Sequence, residues 1–253
     1  MKIAVINQKG GVGKTTVSVN LAYGLASEGK RTLLIDLDPQ AQSSRVFCRT
    51  IPKQATVQEL FLNRTLDLSK VIKPATISKQ KVERLDLIPA NIHLAVTAEQ
   101  IISKIHREKI LDSHLKKIDA VYDFILLDCP PALNVLTVNA IYSADVILIP
   151  TIYSALSLDG IADLFDSIAT VKENTPYRFC ILRNAYNPNT TVSNKFIEKN
   201  LQPYQDNTLK SVIRRSEPIN QAHMNKEPVF TFDPTSNGTK DFISLTQEII
   251  AYA

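Results

Sequence analysis

Ten residues near the start, NQKGGVGKTT at 7–16, could do chemistry together. Gly10, Gly11 and Gly13 let a backbone turn sharply and bring its N–H groups against an anion. Lys14 supplies a cation for the terminal phosphates of a nucleoside triphosphate, and the Thr15 hydroxyl suits Mg²⁺. Val12 and Thr16 complete the loop. The common spelling GxxxxGK(S/T) places its first glycine where Gln8 stands, and the loop carries an additional lysine, Lys9. A dinucleotide fingerprint would need glycine at Thr16 and has no use for Lys14. A glycine-rich turn with no ligand would not need GK followed by Thr between an apolar strand and a helix. Triphosphate binding is therefore the expected chemistry.

Two further stretches supply acids. In LLIDLDPQAQSS (33–44), Asp36 and Asp38 leave an apolar run with side chains on one face, because strand side chains alternate with period two. Carboxylates at a strand end suit Mg²⁺, directly or through its waters. In FILLDCPPALN (124–134) an apolar run ends in Asp128, as phosphate-loop enzymes do where an acid is linked to the metal.

These groups need a scaffold that brings three loops together. Apolar runs at 2–7, 32–37, 85–89, 123–128, 145–150 and 179–184 read as strands buried on both faces. Helix-period segments at 15–28, 57–63, 93–118, 134–142, 157–173, 190–201 and 238–252 lie between them. The alternation predicts an α/β fold, a doubly wound, mostly parallel sheet flanked by helices with right-handed crossovers. Ligands bind such sheets outside the carboxyl ends of the strands, which sets the loops after Asn7, Leu37 and Leu127 side by side. No linker, repeat or low-complexity stretch interrupts 1–253, so one domain is expected.

Bulk properties narrow the class. Lys and Arg outnumber Asp and Glu by 29 to 25, a mildly basic balance compatible with an anionic partner. Cys48, Cys129 and Cys180 are far apart in sequence, which fits a reducing cytoplasm better than a disulfide framework. No apolar run is long enough to predict a membrane span.

KGGVGKTT, DLDPQAQSS and ILLDCPPALNVLTVNA together resemble the ParA/Soj family of partition ATPases, within the MinD/ParA class. Lys9 to Thr15 match that class's deviant loop, (K/R)GGxxGK(S/T), residue by residue. The likeness implies ATP with Mg²⁺ and a homodimer closed by ATP, in which Lys9 reaches the partner's phosphates. It further implies Asp38 beside the attacking water and the metal shell, and Asp128 on the metal through water. Residues Asp38–Ser44 would be one switch segment, and Cys129–Asn134 would begin the other. Asn184 in ILRNAYNP and Pro234 in FTFDPTSNG would lie near the adenine. No strong base is visible, so hydrolysis by the protein alone is expected to be slow, with a ParB-like centromere-binding protein as activator.

DNA-binding members of that family use late basic residues. Lys195, Lys199, Lys210, Arg214 and Arg215, with Lys226 beyond them, stand in that region, and SVIRRSEPINQA aligns Arg215 with the family's arginine. Pro218 occupies a position that is often basic in relatives, and a solvated basic face is the competing reading. Contacts there would be to phosphates of nonspecific double-stranded DNA. Three other readings are weighed. A MinD-like membrane cycle needs a basic amphipathic end, whereas no Lys or Arg follows Lys240. An electron-donor role needs paired cysteines, and Cys129 has no neighbour in sequence. A nucleotide-locked scaffold without hydrolysis would dispense with Asp38. Only six residues precede Asn7, so no helix-turn-helix extension and no operator binding are expected, and the location is cytoplasmic, on the nucleoid when ATP-bound.

Overall fold

The computed structural model describes every residue except 153–155 and 174–176, and the backbone alone for 156–162. Eight strands form one sheet: β1 (Lys2–Val5), β2 (Thr32–Asp36), β3 (Lys73–Ile77), β4 (Gln80–Ile88), β5 (Phe124–Asp128), β6 (Val146–Ile152), β7 (Arg178–Tyr186) and β8 (Thr208–Arg214). Their spatial order is β3-β4-β2-β5-β1-β6-β7-β8. Every neighbouring pair is parallel except β3 with β4. This is the doubly wound, mostly parallel α/β architecture that the sequence predicts.

Pleating sends alternate side chains into two apolar layers. Ala4 of β1 and Leu33 and Ile35 of β2 join Leu94, Leu111, Leu136 and Ala140 on one face. Ile3, Val5 and Leu34 join Leu21, Leu25, Phe242, Leu245 and Ile249 on the other. The second layer holds the helices Lys14–Ser27 and Asn237–Tyr252 against the sheet. Ser236 caps the last helix by accepting from the Thr239 N–H at 3.1 Å. Among the described residues, no helix is long and apolar enough to cross a membrane.

The structure differs from the sequence reading in three places. The predicted helix 93–118 is broken into His93–Ile101, a 3₁₀ turn Arg107–Lys109 and Ile110–Leu115. The apolar period runs on through Ile102 and Ile105, yet these are 48% and 78% exposed. Asn139 settles the break, accepting from the Leu111 N–H at 3.0 Å and donating to the Arg107 carbonyl at 2.8 Å. His106 reverses the chain at φ 55°. Second, β3 and β8 are strands that the sequence reading lacks. Third, Gln42–Phe47, Glu217–Asn225 and Val229–Phe232 are additional helices.

The sheet's two margins are finished differently. β3 is five residues long and carries Pro74, which has no N–H to offer. On β8, Glu248 accepts from the backbone N–H groups of Lys210 and Ser211 at 2.7 and 2.8 Å. Asp241 accepts from that of Arg214 at 2.9 Å.

Candidate nucleotide-binding site

The order β2-β5-β1 places three strand ends in a row, so the loops after them meet. The first loop is held from both sides. Asn7 donates to the Pro150 carbonyl at the end of β6 at 2.9 Å and accepts from the Lys9 N–H at 2.9 Å. Gly11 and Gly13 take left-handed φ of 74° and 86°, which a side chain would resist. The helix begins at Lys14, and Gly13 has no side chain with which to cap it, so the helix start presents its positive end to an anion.

Lys14 is 7% exposed, and its ammonium donates to the Lys9 carbonyl at 3.0 Å, spanning the loop from within. Burial lowers its pKa, while Asp128, Cys129 and Asp38 act in the opposite sense. A desolvated cation inside the loop is a strong attractor for phosphate oxygens. Lys9 is half-buried, beside the exposed Gly10 and Gly11.

Asp36 and Asp128 are register partners across β2 and β5, and both are fully buried. Asp36 is saturated by donors. One oxygen accepts from the Asp38 N–H at 3.0 Å, the other from the Ser44 N–H at 2.9 Å and the Ser44 hydroxyl at 2.6 Å. Burial pushes its carboxyl up nevertheless. Asp128 accepts from the Ser18 hydroxyl at 3.0 Å through Oδ1, whereas Oδ2 has no partner. Burial first, and then the Asp36 carboxylate, push Asp128 up to about 7, against the hydroxyls of Ser18, Ser43 and Thr15. A buried carboxylate oxygen with no donor is costly by itself and would be satisfied by a metal-bound water. The residues fit Mg²⁺ on that ground. Thr15 and Asp128, with Asp38 nearby, would supply its hydroxyl and carboxylate side, and phosphates and waters the rest. Among the described residues, no three His, Cys, Asp or Glu side chains form an all-protein cage, and Mg²⁺ does not require one. The ion would neutralise charge on the transferred phosphoryl group.

Asp38 is half-buried. Its carboxylate accepts from the Gln40 N–H at 2.8 Å and its carbonyl from the Ala41 N–H at 2.9 Å, so the segment after β2 begins as a tight turn. Cys129 is buried, its thiol pushed well up by burial and by the Asp128 carboxylate, and it lies within the core. Ser18 has no role in the sequence reading, and Ser43 and Ser44 stand there only as the end of a switch segment. The signal was available: Ser18 stands four residues after Lys14 on the inward face of the helix, and QSS follows Asp38 after only three residues.

The late positions fall in different places. Asn184 lies within β7 and donates to the Val12 carbonyl at 2.7 Å, so it packs against the glycine loop. Pro234 is exposed in the turn before the last helix. Lys195 and Lys199 are exposed on the helix Thr191–Leu201, and Lys210 and Arg215 are exposed on and just after β8. Arg214 differs from its neighbours, since its guanidinium is held by the nearly buried Asp241 carboxylate. Lys226 lies elsewhere, beside Pro39–Ala41.

A family model described as AAA domain matches residues 1–181. The sporulation initiation inhibitor protein Soj of Bacillus subtilis is 34% identical over 253 residues, covering 98% of both chains. Among solved structures, a plasmid partition protein from Borrelia burgdorferi bound to AMPPNP superposes with a TM-score of 0.84 at 25% identity, covering 100% of this chain and 99% of that one. Cobyrinic acid a,c-diamide synthase from Mycobacterium smegmatis with bound ADP and magnesium reaches 0.81 at 26%, covering 99% and 94%. With its glycine loop, its paired strand-end acids and this likeness over the whole length, the chain belongs to the ParA/Soj family of partition ATPases.

Proposed function

We propose that ATP and Mg²⁺ bind at the Lys9–Thr16 loop and clasp two copies of the chain face to face. The ATP-bound pair binds double-stranded DNA without reading its sequence, and a ParB-like centromere-binding protein triggers hydrolysis and release. The observation that carries this reading is the different burial of two lysines on one loop. Lys14 is buried and turned inward to the loop's own carbonyl, while Lys9 is half-buried beside the exposed Gly10 and Gly11. Two triphosphates brought close need cations between them, and in this reading Lys9 serves a neighbour's nucleotide.

In this reading Asp38 orients the attacking water, and Thr15 and Asp128 hold the metal. Asn184 and Pro234 border the adenine. Positioning and charge neutralisation do the catalytic work, so the protein alone turns over slowly until a partner adds a cation, an addition worth roughly 10³ to 10⁵ elsewhere. Lys195, Lys199, Lys210 and Arg215 contact DNA phosphates, with Arg214 contributing less because Asp241 already neutralises it. The protein would gather on the nucleoid when ATP-bound. The last helix buries Phe242, Leu245 and Ile249 in the core, which speaks against its use as a lipid anchor.

The test is a gel-shift series with nonspecific duplex DNA at low salt, with ATP and with ADP, repeated at raised salt. A shift with ATP that ADP does not give, and that salt abolishes, is expected. Equal shifts with both nucleotides, or none, would overturn the DNA reading.

A further inference from the structure

Beside the segment that follows Asp38 lies a cavity of about 580 Å³. Arg45, Arg49, Lys53, His93 and Lys226 line it, together with Pro39–Ala41, and no Asp or Glu does. The cations come from three parts of the chain that are remote in sequence. Among the described residues, Arg45, Arg49, Lys53 and Lys226 form no ion pair. Four uncompensated like charges around one concavity repel one another and focus a positive potential inside it.

The walls are built rather than incidental. The Asn91 amide donates to the Pro52 and Lys53 carbonyls at 3.1 and 3.2 Å, and its oxygen accepts from the His93 N–H at 3.0 Å. The Ser44 hydroxyl, which donates to Asp36, accepts from the Ala90 N–H at 2.9 Å. One serine thereby links the residues just before Arg45 and just before Asn91 to the strand-end acid. Ile51, Pro52 and Ile92 add apolar surface. The volume lies within the roughly 300–1,000 Å³ typical of small-molecule sites. None of residues 9–16 lines it, so it is separate from the glycine loop.

We propose that this cavity binds a compact polyphosphate, an anion with several phosphates clustered within a few ångströms. A recessed site lined by cations from separate parts of the chain matches clustered charge better than it matches a duplex, whose phosphates are spread along a convex surface. A bound polyphosphate would bridge Lys226 to the segment after Asp38 and restrain it.

Calorimetric titration of inorganic tetraphosphate into the protein, with the glycine loop saturated by ADP and Mg²⁺ in excess, tests this. One tetraphosphate per chain is expected. Arg49→Glu with Lys53→Glu should weaken it on the order of 30-fold and leave ADP affinity unchanged. Arg49→Gln with Lys53→Gln, a milder pair in case the reversal disturbs folding, should weaken it about tenfold. A guanosine polyphosphate run alongside reports the source: tighter binding than tetraphosphate means the apolar wall reads a base, and equal binding means phosphate alone is read. No tetraphosphate binding by the unaltered protein, or undiminished binding by both variants, overturns the proposal. So does loss of duplex DNA retention in the reversal variant without any tetraphosphate binding, which would assign the cavity to nucleic acid.

Discussion

Asp36 and Asp128 face one another across the β2–β5 ladder, fully buried, yet only Asp36 has donors on both oxygens. The asymmetry divides their work. Asp36 organises the polypeptide after β2, and Asp128 keeps an acceptor open towards the glycine loop.

Removing the organiser should loosen the segment it holds. Asp36→Asn cannot accept from both Asp38 and Ser44, and about 1–2 kcal/mol of local hydrogen bonding is lost. Amide exchange at Asp38 and Ser44 should accelerate roughly tenfold or more, which mass spectrometry or NMR would read. Unchanged protection there would refute the assignment.

Asp128→Asn should act on metal rather than on fold. Mg²⁺ should then strengthen ATP binding far less than it does in the unaltered protein, while ATP without Mg²⁺ binds about as before. Titrations with and without the ion give the comparison. An undiminished Mg²⁺ effect would remove Asp128 from the metal site.

The two lysines should separate cleanly. Lys14→Ala should abolish ATP binding, because the buried cation inside the loop is lost. Lys9→Ala should bind ATP yet remain monomeric by light scattering. An ATP-dependent dimer of Lys9→Ala would end the view that this residue serves a neighbour's nucleotide.

The glycines offer an internal control. A Cβ at Gly13 would collide with the Asn184 amide, and the position has φ 86°. A Cβ at Gly10 would meet nothing within 4 Å, and φ there is not left-handed. Gly13→Ala should therefore cost at least about 1 kcal/mol and disable nucleotide binding. Gly10→Ala should fold with stability within about 0.5 kcal/mol of the parent. Urea unfolding measures both, and equal costs would contradict the described loop.

His114 contributes to the response to acid. It is fully buried, with Nε2 on the Leu60 carbonyl at 3.0 Å and Nδ1 without a partner. Burial chiefly, with Lys117 assisting, holds its pKa below the ordinary value of about 6.5. The unfolded chain therefore takes up this proton first as pH falls, and the contribution of His114 to stability drops from about pH 6.5 down to the depressed folded value, opposite in sense to that of Asp128. His114→Gln should flatten that limb in melting curves between pH 7 and 5. Parallel curves for the two proteins would show that His114 contributes nothing to it.

The centre of the sheet was legible because strands buried on both faces must be continuous apolar runs, as in Ile3–Val5, Leu33–Ile35 and Ile125–Leu127. Its margins were not. β8 reads TLKSVIR, with only Leu209 and Ile213 buried, and KPATI of β3 holds a proline. Likewise the break after Ile101 has no glycine or proline to announce it, since Asn139, nearly forty residues on, makes the decisive contacts. The loop and its acids could be read because anion binding restricts residue types within a short span. The cavity beside Asp38 could not, because Lys226 reaches it only through tertiary folding.

Both margins of the sheet are guarded, one by a short strand with proline and the other by two carboxylates that occupy three of its backbone N–H groups. Edge-to-edge pairing between copies of this chain is thereby disfavoured. An association built instead on side chains and bound ligand can be undone by exchanging that ligand rather than by unfolding a strand.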